Sequence, residues 1–287
     1  MKFFLFFAIG ICLHYAPIVI KGAAYGLTLW YQDVVPCLFP FMILTSLLSK
    51  HILKGGRFLA IFCGFICGYP LGAKMAADLY KKNQLSASEM QLIAGFCNLS
   101  SPMFLVGYAK LGNMTYIIYL TAIFFLLIGY GYLYWRGELI HSYTKNEELP
   151  TYHFEEIALD CCRILLTIGI YIIIFSIISA LITEIFHSNL FLSALMEITT
   201  GTYAVMQTNN LALTAGTCVF GGLCGVAQTK SVMNGCPFSI LKYLFCKILH
   251  AIVVMFILHE IFDTHELLRC EAAFAILQTF EICKFTM

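Results

Sequence analysis

Three charged residues, Lys74, Glu197 and Lys230, stand beside apolar stretches where a surface role does not explain them. Lys74 follows the break Gly68-Tyr69-Pro70-Leu71-Gly72. A lysine at the centre of a membrane helix costs about 2.5–3.5 kcal/mol on insertion scales, so such residues face a cavity or a partner. One reading has Lys74 hold an anionic group beside the free N–H groups of the half-helix that starts after the break. The other has it snorkel to the headgroups, with Asp78 one turn on as its ion-pair partner. Lys230 follows the run Gly221-Gly222-Leu223-Cys224-Gly225 much as Lys74 follows its own glycines. Two such lysines would flank one site and suit a dianion; a helix end in water is the other reading of Lys230.

Glu197 lies amid Leu190 to Met206 with no basic residue near it in sequence. A carboxylate there must be protonated, paired or wet. It reads as a ligand contact or ion-coupling group, or as a structural partner of Lys74 or Lys230. Asn98, Ser100, Ser101, Thr199, Thr200 and Gln228 add uncharged donors and acceptors near the breaks. Singly each is a helix cap or an interhelical bond; together they make a polar lining. With Gly68, Tyr69, Pro70 and Gly72 they complete the candidate solute-binding set.

The elements that must position these residues are membrane helices. Hydrophobic residues make up 60% of the 287 and charged ones 11%, against about 25% charged in a soluble domain. Phe3 to Ile20, Leu111 to Trp135 and Ile164 to Thr183 contain no Asp, Glu, Lys or Arg. A helix crossing a bilayer core needs about 20 such residues. The predicted spans are 3–20, 34–49, 112–135, 162–183 and 239–262. No small-x-small cleavage site follows the first run before Lys21-Gly22, so it reads as a retained helix and not a signal peptide.

Four further apolar segments are interrupted: 57–80 at Gly68 to Gly72, 92–109 at Asn98 to Pro102, 190–206 at Glu197 to Gly201, and 211–233 at Gly221 to Gly225. Broken helices at membrane depth survive only where they are buried in protein or line a wet cavity, so the four predict a polar cavity. Gly64-Phe-Ile-Cys-Gly68 matches Gly221-Gly-Leu-Cys-Gly225 at an offset of 157, and Asp33 has a counterpart in Asp160. Inverted repeats with broken helices at their interface are a recurrent transporter build; shared glycine packing is the alternative.

Other function classes lack their residues. No Gly-x-Ser-x-Gly, Gly-Lys-Ser/Thr phosphate loop or His-Glu-x-x-His occurs, which argues against an enzyme or a primary pump. The 13 cysteines lie mostly in apolar runs and neither they nor the eight histidines show metal-ligand spacing. The net charge of +1 carries no basic block, which excludes the usual nucleic-acid footprint. No metal, cofactor or nucleic-acid partner is expected.

Asp33-Val-Val-Pro36-x-x-Phe-Pro40-Phe, Cys67-Gly-Tyr-Pro-Leu-Gly-Ala-Lys74 and Asn98-Leu-Ser-Ser-Pro102 together resemble the nucleoside-recognition (Gate) domain family. Within it they are most similar to the sporulation integral membrane proteins of spore-forming bacteria. Glu197-Ile-Thr-Thr-Gly201 and Phe220-Gly-Gly-Leu-Cys-Gly-Val-Ala-Gln228 agree in the second half. The resemblance, over roughly 28 to 260, implies a permease-like fold handling a small solute during spore formation. For this branch the implied solute is dipicolinic acid, an aromatic dianion.

The expectation is therefore an all-α, polytopic helical membrane protein of two inverted-repeat halves with broken or re-entrant helices. Residues 1–135 form the first half, 136–156 a polar connecting loop, 157–262 the second half and 263–287 an amphipathic tail. The expected function is a permease for a small organic anion in a bacterial cell or forespore membrane. A nucleoside or other uncharged solute permease, and a membrane gate or anchor component that does not transport, are the alternatives. The expected partners are the lipid bilayer and a small-molecule solute, and a homo-oligomer is compatible with such a chain.

Overall fold

The computed structural model describes residues 2–51, 56–139, 154–186, 192 and 195–261. The expected amphipathic tail and most of the polar connector lie outside these residues. All regular structure among the described residues is helical. With 4 helices long and apolar enough to cross a bilayer, or 5 if a bent pair counts as one span, the chain is an integral membrane protein.

The first predicted span is not one straight helix. Helix α1 (Lys2–His14) and α2 (Ala16–Leu29) meet at Tyr15 with a bend of 94°. Pro17, in the first turn of α2, explains the break, because a proline lacks the N–H that a helix interior needs and suits a helix start. Helix α2 passes through a π-helical turn (Trp30–Val34) into α3 (Val35–His51). Across from them runs α8 (Phe154–Phe186), whose 33 residues reach about 50 Å and so extend beyond a hydrocarbon core of about 30 Å. Gly22 and Gly26 let α2 and α8 approach closely. A Cβ on Gly26 would stand 2.9 Å from the Ile173 Cα, and one on Gly22 would stand 3.0 Å from the Ile177 Cα. Small residues four apart are how membrane helices pack backbone to backbone.

Helices α4 (Gly56–Cys67) and α5 (Leu71–Lys81) form an antiparallel hairpin. A Cβ on Gly72 would stand 2.6 Å from the Gly64 Cα near the tip, and one on Gly56 would meet Leu79 at the open end. Each arm is about 17–18 Å long, too short to span the core. The tip is Gly68-Tyr69-Pro70, with Gly68 at φ +79° and a cis Tyr69–Pro70 bond.

Helix α6 (Ala87–Cys97) opens on a capping box of Ser86 and Glu89 and stops at Asn98. A π-helical turn (Phe104–Tyr108) follows, then α7 (Thr115–Trp135). After α8 the chain continues with α9 (Ile198–Met206), α10 (Leu211–Phe220), α11 (Gly222–Val232) and α12 (Ile240–Ile261). Only Gly221 separates α10 from α11, and Leu211–Val232 remains one apolar stretch long enough to cross. That interruption is local, whereas the one at Gly68 reverses the chain.

The glycine match at offset 157 does not align the breaks. Gly68 and Gly221 hold positive φ, while their matched partners Gly225 and Gly64 lie inside α11 and α4. The order of elements does recur at a shorter offset. Helix α5 begins at Leu71 and α9 at Ile198, 127 residues on. Helix α6 begins at Ala87 and α10 at Leu211, 124 on; α7 begins at Thr115 and α12 at Ile240, 125 on. Asp33 and Asp160 are also 127 apart.

Candidate functional site

Three interruptions touch one another in the middle of the bundle. A Cβ on Gly68 would stand 2.8 Å from the Ser101 amide nitrogen, so the hairpin tip rests on the break after α6. The same tip inserts Tyr69 against Gly221, where any Cβ would collide with the phenol. Backbone groups freed at these breaks are satisfied by side chains, as a water-poor interior requires. The Tyr69 and Ser100 hydroxyls both donate to the Cys218 carbonyl, at 3.0 and 2.8 Å. Tyr119 from α7 reaches the carbonyls of Phe65 at 3.2 Å and Ser100 at 3.0 Å.

Beside this junction lies a cavity of about 410 Å³, the size of many small-molecule sites. Gly68, Tyr69, Ser100, Ser101, Tyr108, Glu197, Thr199, Gly221 and Gln228 line it together with Asp33 from the π turn after α2. Ile168, Ile172, Leu38, Met103 and Phe104 supply apolar wall. Among the described residues the charges in the lining are the carboxylates of Asp33 and Glu197, with no Lys, Arg or His.

Glu197 is buried at 1% exposure and caps α9. Its Oε2 accepts from the Thr199 N–H at 3.0 Å, the Thr200 N–H at 2.8 Å and the Thr200 hydroxyl at 3.0 Å. Those donors and the positive end of the helix hold a carboxylate in place, with no basic partner among the described residues. Tyr108 donates to the Thr199 carbonyl at 3.1 Å and closes the wall beside it.

The structure thus gathers Gly68, Tyr69, Ser100, Ser101, Glu197, Thr199 and Gln228 around the cavity and leaves the other candidates outside its lining. Pro70 and Gly72 are buried within the hairpin. Lys74 pairs with Asp78 at 2.6 Å, the helix-surface partner one turn on. Lys230 is exposed in the last turn of α11. Thr200 borders a separate groove with Lys21 and Glu184. Asn98 is wholly buried behind the cavity, donating to Thr229 Oγ1 at 2.8 Å and the Tyr243 hydroxyl at 3.2 Å.

Behind Tyr69 sits a residue that sequence reasoning passed over. Lys247 of α12 is fully buried, donates to the Asn98 carbonyl, and stands over the rings of Tyr69 and Tyr243 at 5.0 and 5.7 Å. One signal is available: a lysine in mid-span is a functional candidate by default, although 239–262 reads as an apolar span on average.

No family model and no solved structure matches the chain. It is 32% identical over 131 residues to the sporulation integral membrane protein YlbJ of Bacillus subtilis (strain 168). The match covers 39% of this chain and 31% of that protein, so the chain spans about a third of the relative's length.

Proposed function

We propose that the chain is the solute-handling part of a permease acting in spore formation, and that its cavity takes a small, polar, uncharged solute of nucleoside-like size. The observation that carries this is the cavity itself: it opens among interrupted helices, sets hydroxyls and amides into a largely apolar wall, and holds two carboxylates with no cation among the described lining residues. Transporter sites of this kind form where discontinuous helices meet near the bilayer midplane. The sporulation context rests on the partial similarity to YlbJ. The recurrence of elements at offsets of 124 to 127 supports two related halves joined by the 136–156 connector, with inversion as part of the proposal.

An aromatic dianion is the weaker candidate in this geometry. Lys74 is engaged with Asp78 and Lys230 faces outward, so neither offers its charge to the cavity, and two carboxylates repel an anion. The test is binding of labelled uridine to the purified protein, competed with unlabelled dipicolinate. Saturable uridine binding that dipicolinate does not displace supports the reading. Tight dipicolinate binding with none of uridine restores the anion, and binding of neither favours a gate or anchor component.

A further inference from the structure

Lys247 is the most deeply buried cation among the described residues, and the cavity wall alone does not account for it. Three elements meet at its ammonium: the hairpin tip through Tyr69, the end of α6 through Asn98, and α12 itself through Tyr243. Helix α11 joins through Thr229, which Asn98 and Tyr243 both contact. No carboxylate pairs with Lys247 among the described residues. The titratable groups facing it are Tyr69 on the tip, Cys97 at the end of α6, and Tyr243, Cys246 and His250 on α12. Helix α7 faces this region with Thr121, 2.8 Å from His250, and carries no charged residue.

An unpaired ammonium in a membrane interior is costly, and what stabilises it here is one carbonyl and two aromatic faces. One of those faces belongs to Tyr69, which also lines the cavity. Withdrawal of the hairpin tip therefore exchanges one aromatic face for water, which solvates the ammonium better than the ring does. Binding of the proton and withdrawal of the tip must favour each other equally, because coupling between two equilibria is reciprocal.

We propose that Lys247 is a proton-binding site geared to the hairpin tip, loaded from water when the tip withdraws and unloaded as Tyr69 and Asn98 close over it. The proton is then a driving ion for movement at the cavity. Only that last step rests on the permease reading; the proton site does not.

The test uses the full chain in proteoliposomes on a solid-supported membrane, with charge movement recorded after an acid jump in the absence of solute. Wild type is expected to give a transient proton-binding current that is lost in Lys247→Met and in Lys247→Gln. The glutamine keeps a donor for the Asn98 carbonyl and carries the test if the methionine variant does not fold. Tyr69→Leu should shift the pH at which the current is half-maximal, which a merely structural lysine would not do. No current in wild type, or an undiminished one in either folded Lys247 variant, overturns the proposal. A second arm jumps the concentration of uridine or dipicolinate. A Lys247-dependent proton current with no response to either solute keeps the proton site and sinks the permease reading. Uridine uptake that ignores a pH gradient and is equal in Lys247→Met keeps the permease reading and overturns the proton as its driving ion.

Discussion

Glu197 does two things with one side chain, and they can be separated. As a cap it accepts from the Thr199 and Thr200 amides, and as a charge it lines the cavity. Glu197→Ala should lower stability by about 1 kcal/mol, the usual loss for an N-cap, measured as thermal unfolding in detergent. Glu197→Gln keeps an acceptor for the cap and should unfold near the wild-type temperature. Hydrogen bonds to charged groups contribute about 1.5–3 kcal/mol, so the same variant should weaken uridine binding roughly tenfold or more. If Glu197→Gln binds uridine as wild type does, the carboxylate is a cap and nothing else. Gly221 offers a second residue-scale test. Alanine there meets a φ of +80° and the Tyr69 hydroxyl together, and the left-handed backbone alone costs about 1–2 kcal/mol. The expected result is a lower melting temperature that Tyr69→Ala, by removing the obstruction, partly restores.

At the scale of elements, the hairpin depends on two glycines facing each other across α4 and α5. Gly72→Ala presses a methyl into the Gly64 backbone, and overpacking of this kind costs about 1–3 kcal/mol. Gly131→Ala in α7, where a Cβ meets nothing within 4 Å, is the control and should unfold at or above the wild-type temperature. Equal stabilities for the two variants would contradict the hairpin packing. The breaks at 68–72, 98–102 and 221 were legible because glycine, proline and a polar cluster interrupt long apolar runs. What the chain does after a break was not legible. Gly68 and Gly221 sit in similar local sequences, yet one turns the chain back and the other leaves a nearly continuous span. Tertiary contacts such as Gly64 on Gly72 decide that, and they are invisible in a local window. The offset of 157 matches glycines by spacing and not by backbone conformation, which a local window does not show either. The turn at Tyr15 is a milder case, where Pro17 carried the signal and the uncharged run hid it. Lys247 was missed because its span reads as apolar on average.

For the whole molecule, membrane class followed directly from composition, whereas the charge of the cavity depended on which residues converge. Lys74 stands six positions from Gly68 in the chain and yet turns to Asp78 instead of the cavity, so proximity in sequence to a break does not place a side chain in the site. The central claim is that the cavity carries an uncharged polar solute across the bilayer. The most direct measurement is counterflow of labelled uridine into proteoliposomes preloaded with unlabelled uridine, beside the same experiment with dipicolinate. The account predicts transient accumulation of uridine that is reduced in Glu197→Gln and unchanged in Lys74→Met, with no counterflow of dipicolinate. Counterflow of dipicolinate that Lys74→Met abolishes, with uridine inert, would contradict it.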